Sequence, residues 1–453
     1  KYFKSEYKND DELLKSDADV AERLTEEGSV LLKNGNSALP LSKTSKVTLL
    51  GHSCDNFIVC GTGSAKINAD DAPTLKEALE SRGVSVNPTA WNFYETNKDK
   101  YKSNPDKDSN SIRNSDSGLT TYLVNEIPYS KLQSDGVTSS FSQYNDAAIV
   151  VISRIGGEMY DIPNNVEHQG DGNETVNGSG NSLELTKNEI ELIDQAKSQF
   201  GKVIVLLNSA NPLECDFLTS GSSKVDACLW VGYTGKMGLN GVADLLVGNT
   251  SPSGRLVDTY CNDNTTSPSM VNMYSAEWTN SSKWGKDMVA NGLDGNKYYN
   301  AYQEGIYVGY RYYETRYEDF VYNRQGVGNY DYSSIVAYPF GYGLSYSTFE
   351  YSTPSFVENT KDDTIDVTLT VKNTGSHKAK DVVEVYFQSP YTDYDIANGI
   401  EKASVELCGF TKTKELAPNE SQEVTIHVDR EELATYDSKN AKSYILESGN
   451  YYL

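Results

Sequence analysis

No stretch of this chain approaches the ~18 consecutive apolar residues that a membrane-crossing helix needs. The longest apolar run is AAIVVIS (147–153), the length of a buried strand. Basic residues are outnumbered, with 40 Lys and Arg against 64 Asp and Glu, a net charge of −24. Such a field repels phosphate backbones and anionic lipid, which excludes nucleic acid and membrane surfaces as natural partners. A neutral ligand such as a sugar is compatible with it, and so is plain solubility. Cysteine is sparse: Cys54, Cys60, Cys215, Cys228, Cys261 and Cys408 form no CxxC, and no His stands where it would complete a zinc site. Neither a metal centre nor a disulfide framework is expected. Cys215 and Cys228 fall in or beside strand-like apolar runs and read as buried thiols, while Cys54 and Cys60 are close enough in sequence to pair. The phosphate-cradling patterns GxGxxG and GxxxxGK[ST] are missing, and none of His52, His168, His377 and His427 has a GxSxG nucleophile nearby. No cofactor is implied.

What is abundant is tyrosine, 33 residues in 453, which lifts the aromatic share to 11% and excludes a largely disordered chain. The length suits two or three domains. Residues 1–17 are charged and read as an arm, so the first division is placed at 1–19. The segment from Asp19 has a helical pattern with Val20, Ala21 and Leu24 on one face, stopped by Gly28. Strands and helices then alternate. KVTLLGH (46–52), AAIVVISR (147–154), KVIVLLN (202–208) and ACLWVGY (227–233) read as strands. TLKEALESRG (74–83), LTKNEIELIDQAKSQFG (185–201) and GLNGVADLLVG (238–248) read as helices, the second capped by Thr186. Strands apolar on both faces and separated by helices mean a mainly parallel sheet covered on both sides, an α/β sandwich over 20–260. Residues 261–345 are rich in Asn, Ser, Tyr and Gly without a period. In 304–352 the aromatic density is too high to leave in water, so an ordered brace is expected there. From 346 to 453 alternating patterns with regular turn signals suggest an antiparallel β-sandwich of immunoglobulin-like type.

A doubly covered parallel sheet binds ligands beyond the carboxyl ends of its strands. Two loops there carry chemistry. CGTGSAKIN (60–68) has small residues that let backbone amides and the Ser64 hydroxyl approach a ligand, though its spacing equally suits a tight connection. SRIGGEMYD (153–161) places Glu158 just past a buried strand, beside Met159 and Tyr160, where partial burial would raise its pKa toward that of a general acid. Arg154 would oppose that shift if it paired with Glu158. On the residues alone, a solvated loop carboxylate is the competing reading. Ser64 and Arg154 are the candidate substrate-binding residues.

Seven segments occur in order: EEGSVLLKN…ALPL (26–41), GTGSAKIN, VVISRIGGEMYD, VIVLLNSANPLE (203–214), ACLWVGYTGKMGLNGVADLLVGNTSPSGRL (227–256), EGIYVGYRYYET (304–315) and YPFGYGLSYSTFEYS (338–352). Together they resemble the second and third domains of glycoside hydrolase family 3, the β-glucosidase and β-xylosidase family, over about residues 20–453. The resemblance implies an α/β sandwich packed on a fibronectin type III-like domain. It implies Glu158 as acid/base, with Met159 where the family usually has Gly, and Ser64 as a hydroxyl near the sugar. Glu167, Asp171 and Glu174 are competing carboxylates in the same long loop. The family's nucleophile is an Asp on a TIM barrel, and the residues outside the two domains are too few for the ~250 that a barrel needs. The barrel is therefore expected on a second chain or a missing segment, and the permuted order with the barrel last is favoured. The function implied is the acid-bearing portion of a retaining, exo-acting β-glycosidase acting on terminal β-D-glucosyl residues of an oligosaccharide or glycoside. A β-xylosidase and a non-catalytic glycan-binding module are the alternatives. Homo-oligomers are compatible with this reading, and composition favours an extracellular or cell-surface location over the cytoplasm.

Overall fold

The structure is a computed structural model that describes residues 5–61, 64, 66–101, 124, 126–156, 182–219, 225–272, 302–324 and 326–453. The first domain is built on strands β1 (Val30–Asn34), β2 (Lys46–Leu50), β3 (Ser85–Val86), β4 (Ala147–Arg154), β5 (Val203–Ser209) and β6 (Ala227–Trp230), ordered β1-β6-β5-β4-β2-β3. β2, β3, β4, β5 and β6 run parallel, and β1 closes the edge antiparallel to β6. Every residue of β4 and β5 is buried, as two-sided apolar strands demand when helices cover both faces.

Its helices are α1 (Asp10–Gly28), α2 (Leu75–Ser81), α3 (Pro88–Asn97), α4 (Tyr129–Ser134), α5 (Lys187–Gln199), α6 (Asp216–Thr219) and α7 (Gly238–Val247). Their ends follow local chemistry. Thr74 with Glu77 and Thr186 with Glu189 form reciprocal capping boxes. Pro88 stands in the first turn of α3 behind the cap Asn87, where its missing N–H costs nothing.

Helix α1 differs from the expectation twice. It begins at Asp10, inside the stretch read as an arm, because Asn9 Oδ1 accepts from Glu12 N at 2.9 Å and three acidic residues favour the positive end of the helix. The face expected to be buried is not: Val20 is 45% and Leu24 69% exposed, while Thr25 is the buried residue. Small residues of α7 explain this. Gly238 and Gly241 let the helices approach until Thr25, Glu22 and Glu26 of α1 meet the α7 backbone, which turns the Leu24 side outward.

Between the domains the short strands β7 (Tyr260–Cys261) and β8 (Val336–Tyr338) pair with each other. The second domain pairs one sheet of β9 (Phe349–Tyr351), β10 (Ser355–Asn359), β11 (Thr364–Asn373) and β14 (Ser421–Asp429) with a second of β12 (Val382–Phe387) and β13 (Glu406–Lys412). All these pairings are antiparallel, and inward residues such as Val367, Val371, Val385, Phe387, Ile426 and Val428 form the core. The tyrosine-rich segment braces the two domains. Tyr342 Oη donates to Leu32 O, Tyr346 Oη to Leu245 O, and Leu344 N to Leu31 O. Tyr310, on the helix Tyr310–Val321, stacks with Phe340 and meets Tyr386 of β12 edge-on. Arg255 pairs with the buried Asp381, and Lys380 with Glu27 at 2.5 Å, across the same junction. All six cysteines are free thiols, Cys54 and Cys60 included.

Candidate active site

The carboxyl ends of β2, β4, β5 and β6 lie side by side, and the loops leaving them are tied together by side chains at the strand ends. Asn208, at the end of β5, accepts from Ile58 N at 2.7 Å and donates to Ile58 O at 2.8 Å and Gly232 O at 2.7 Å. One amide thus joins the loops after β2 and β6 to β5. Gly235 N donates to Val59 O at 2.7 Å beside it. The hydroxyls of Ser53 and Ser153 join the loop after β2 to the end of β4.

Ser64 lies exposed on the loop after β2. Glu158, with Glu167, Asp171 and Glu174, lies outside the described residues. Arg154, expected at the sugar, is 1% exposed at the end of β4. Its Nε donates to Ser182 O at 2.6 Å. Nη1 donates to Ser153 O at 2.7 Å and Glu189 Oε1 at 2.8 Å, and Nη2 to Glu184 O at 2.6 Å and Glu189 Oε2 at 2.9 Å. A guanidinium has five N–H groups, and these five contacts occupy them all. Among the described residues the carboxylate paired with Arg154 is that of Glu189, within the capping box of α5.

Three further residues stand out here that pattern reading did not single out. Tyr233, after β6, accepts from Gly156 N at 2.8 Å and has Arg154 O and Gly156 O at 3.2 Å, so its hydroxyl closes on the chain leaving β4. His52 is buried at the end of β2, its backbone N–H held by the Glu126 carboxylate, and burial lowers its pKa to about 4. Its imidazole is neutral at neutral pH. Glu214, after β5, accepts from Asn264 N at 2.8 Å, and burial raises its pKa to about 7. Their only sequence signal is a polar residue at the end of an apolar strand or in the loop just after it.

Glu22, Glu26 and Asp244 bring carboxylate oxygens within 4.8 Å of one another, a metal-like grouping among the described residues. Arg82 already engages two of the three, with Nη2 at 2.7 Å from Asp244 and 3.0 Å from Glu22. A groove of about 640 Å³ between α1, the loop after β6 and β12–β13 is lined by Leu24, Trp230, Val257 and Phe410, and includes neither Ser64 nor Arg154.

Comparison with known proteins accords with this geometry. The glycosyl hydrolase family 3 C-terminal domain matches residues 29–310, and a fibronectin type III-like domain matches 381–453. A beta-glucosidase of Ruminococcus albus is 31% identical over 95% of this chain and 38% of its own length. An exo-alpha-(1->6)-L-arabinopyranosidase of Bifidobacterium longum is 26% identical over 96% of this chain and 46% of its own. The structure of beta-glucosidase 3B from Thermotoga neapolitana in complex with glucose superposes with a TM-score of 0.71 at 31% identity, covering 97% of this chain and 52% of that one. The chain thus spans about half, or less, of the length of the relatives it matches. With the family's C-terminal domain matched over more than half of the residues, the chain belongs to glycosyl hydrolase family 3.

Proposed function

We propose that this chain is the acid-bearing portion of a retaining, exo-acting β-glucosidase that removes terminal β-D-glucosyl residues. The observation that carries the reading is the departure of SRIGGEMYD from β4 at the carboxyl edge of a family 3 sheet, with its first residues anchored from three sides. The names of the Ruminococcus and Thermotoga relatives support glucose as the sugar. Retention needs two carboxyl groups ~5–5.5 Å apart, one nucleophilic and one proton-donating. Glu158 is the donor. It protonates the departing glycosidic oxygen, then as carboxylate takes a proton from the water that releases the glycosyl-enzyme. The nucleophilic Asp comes from the barrel that the family resemblance implies, on a second chain or a further segment, which places the cleft between the two parts. Ser64, exposed on the neighbouring loop, offers a hydroxyl to the sugar.

The test is a leaving-group experiment on the complete enzyme. Glu158→Ala should cost roughly 10²–10⁴-fold on glycosides with poor leaving groups, while activated aryl glycosides keep their first step. Azide needs no general base, so it should restore turnover and yield a β-glycosyl azide of retained configuration. Rescue at Glu167→Ala, Asp171→Ala or Glu174→Ala instead would move the acid to that position. No response at any of the four would leave the chain a sugar-binding part without the proton donor.

A further inference from the structure

The loop proposed to carry the acid starts at the end of β4 and returns to the chain ahead of α5. What holds its two ends is visible. Arg154 gathers Ser153 O from the outgoing side and Ser182 O and Glu184 O from the returning side. Glu189 holds the guanidinium through both oxygens, and is itself fixed because Oε2 accepts from Thr186 N at 2.7 Å. Tyr233 grips the next residues of the outgoing side through Gly156 N, and its own loop is anchored where Asn208 takes Gly232 O.

A buried ion pair is weak evidence of a purely stabilising role, because an apolar pair of similar volume often holds a core as well. An apolar pair does not collect three carbonyls from two chain segments. A guanidinium does, through donors in a rigid fork. Tyr233 repeats the pattern from the other side. One hydroxyl reads both an N–H and the carbonyls of 154 and 156, so it defines the direction in which the chain leaves the strand.

Resting on the reading of Glu158 as the acid, we infer that Arg154, Glu189 and Tyr233 are positioning residues for proton donation: they form a clamp on the neck of the acid loop and touch no sugar. Among the described residues the clamp spans 153–156, 182–189 and 233. It predicts a defect in chemistry rather than in binding. An acid displaced by about 1 Å costs about 100-fold in rate, while contacts that hold the sugar elsewhere are unchanged.

The experiment uses the complete enzyme. Tyr233→Phe keeps the ring and removes only the hydroxyl; Arg154→Lys keeps the charge and loses the fork. Both should lower kcat/KM about 10- to 100-fold on glycosides with poor leaving groups, with KM within about twofold. Both should lower kcat/KM on activated aryl glycosides far less, because for these only the later release of the glycosyl-enzyme needs the displaced carboxylate. Amide exchange at Gly156 should accelerate in Tyr233→Phe. Where Arg154→Lys does not fold, Tyr233→Phe decides. A leaving-group dependence in Glu158→Ala but not in Tyr233→Phe overturns the clamp and leaves the acid in place. Its absence from both overturns the acid reading, and the positioning role with it. A uniform loss of kcat/KM across all leaving groups in Tyr233→Phe also overturns the inference, since a merely structural contact would act that way.

Discussion

Replacing Gly241 by Ala sets two effects of opposite sign against each other, and the structure decides between them. In a helix interior the change ordinarily gains ~1 kcal/mol, because Gly has more backbone freedom to lose. Gly241 lies within α7 where α1 crosses it. A Cβ there would stand 2.6 Å from Glu22 O, 3.2 Å from Glu26 Cγ and 3.3 Å from Glu26 N, with ordinary contact beginning at 3.4 Å. The first of these atoms is backbone, so no rotamer change relieves it; α1 must move by about 0.8 Å, the gap between those distances. α1 is not free to move. Arg82 ties Glu22 to Asp244, and Thr25 Oγ1 donates to Thr234 O at 3.3 Å. Overpacking of this kind costs ~1–3 kcal/mol, and an immovable neighbour puts it at the upper end. The net expectation is a loss of about 2 kcal/mol, read as a fall of roughly 0.5–1 M in the urea midpoint of this domain. Tryptophan fluorescence follows it, since Trp91 and Trp230 both lie in the domain. Gly28→Ala is the control. It ends α1 with no atom within 4 Å of the added methyl, and should be neutral or gain up to ~1 kcal/mol. If Gly241→Ala proves as stable as the parent while Gly28→Ala behaves as expected, the close approach of α1 and α7 is wrong.

Two further outcomes are expected besides the kinetic ones above. Glu214 has a folded pKa near 7 against an ordinary 4.5, so its contribution is complete below about pH 4.5 and is lost as pH rises through 7. Glu214→Gln, which keeps an acceptor for Asn264 N, should match the parent near pH 4 and exceed it by roughly 1–2 kcal/mol at pH 8, partial solvation screening the rest; parallel stability–pH curves would contradict this. Arg255→Ala should loosen the junction of the two domains by about 2–4 kcal/mol, because it strands the buried Asp381 carboxylate with neutral donors such as Tyr351 Oη and Val382 N. A change under about 1 kcal/mol in thermal or urea unfolding would show that the pair adds little.

The sequence by itself determined whatever depends on neighbours along the chain. Two-sided apolar strands at 147–154 and 203–209 could only be buried between layers, and their full burial follows from composition alone. Thr186 three residues before Glu189 forms its capping box without help from the rest of the fold. The alternation of 364–373 and 421–429 announced a half-buried antiparallel sheet, and the tyrosines of 338–346 their packing against the core. Tertiary structure decided which distant atoms face one another. Arg154 holds a carboxylate 35 residues away that no local pattern announces, because α5 brings Glu189 beneath the end of β4. Tyr233 looked like one aromatic among many, and only the neighbouring carboxyl ends bring its hydroxyl to an amide 77 residues away. The outward face of α1 was equally illegible. Helical periodicity identifies an apolar stripe, but the small residues of a second helix decided how close the two could come and therefore which stripe faced inward. Propensity, capping and burial are local sums over adjacent residues, whereas the partner of a buried charge is set by the path of the whole chain.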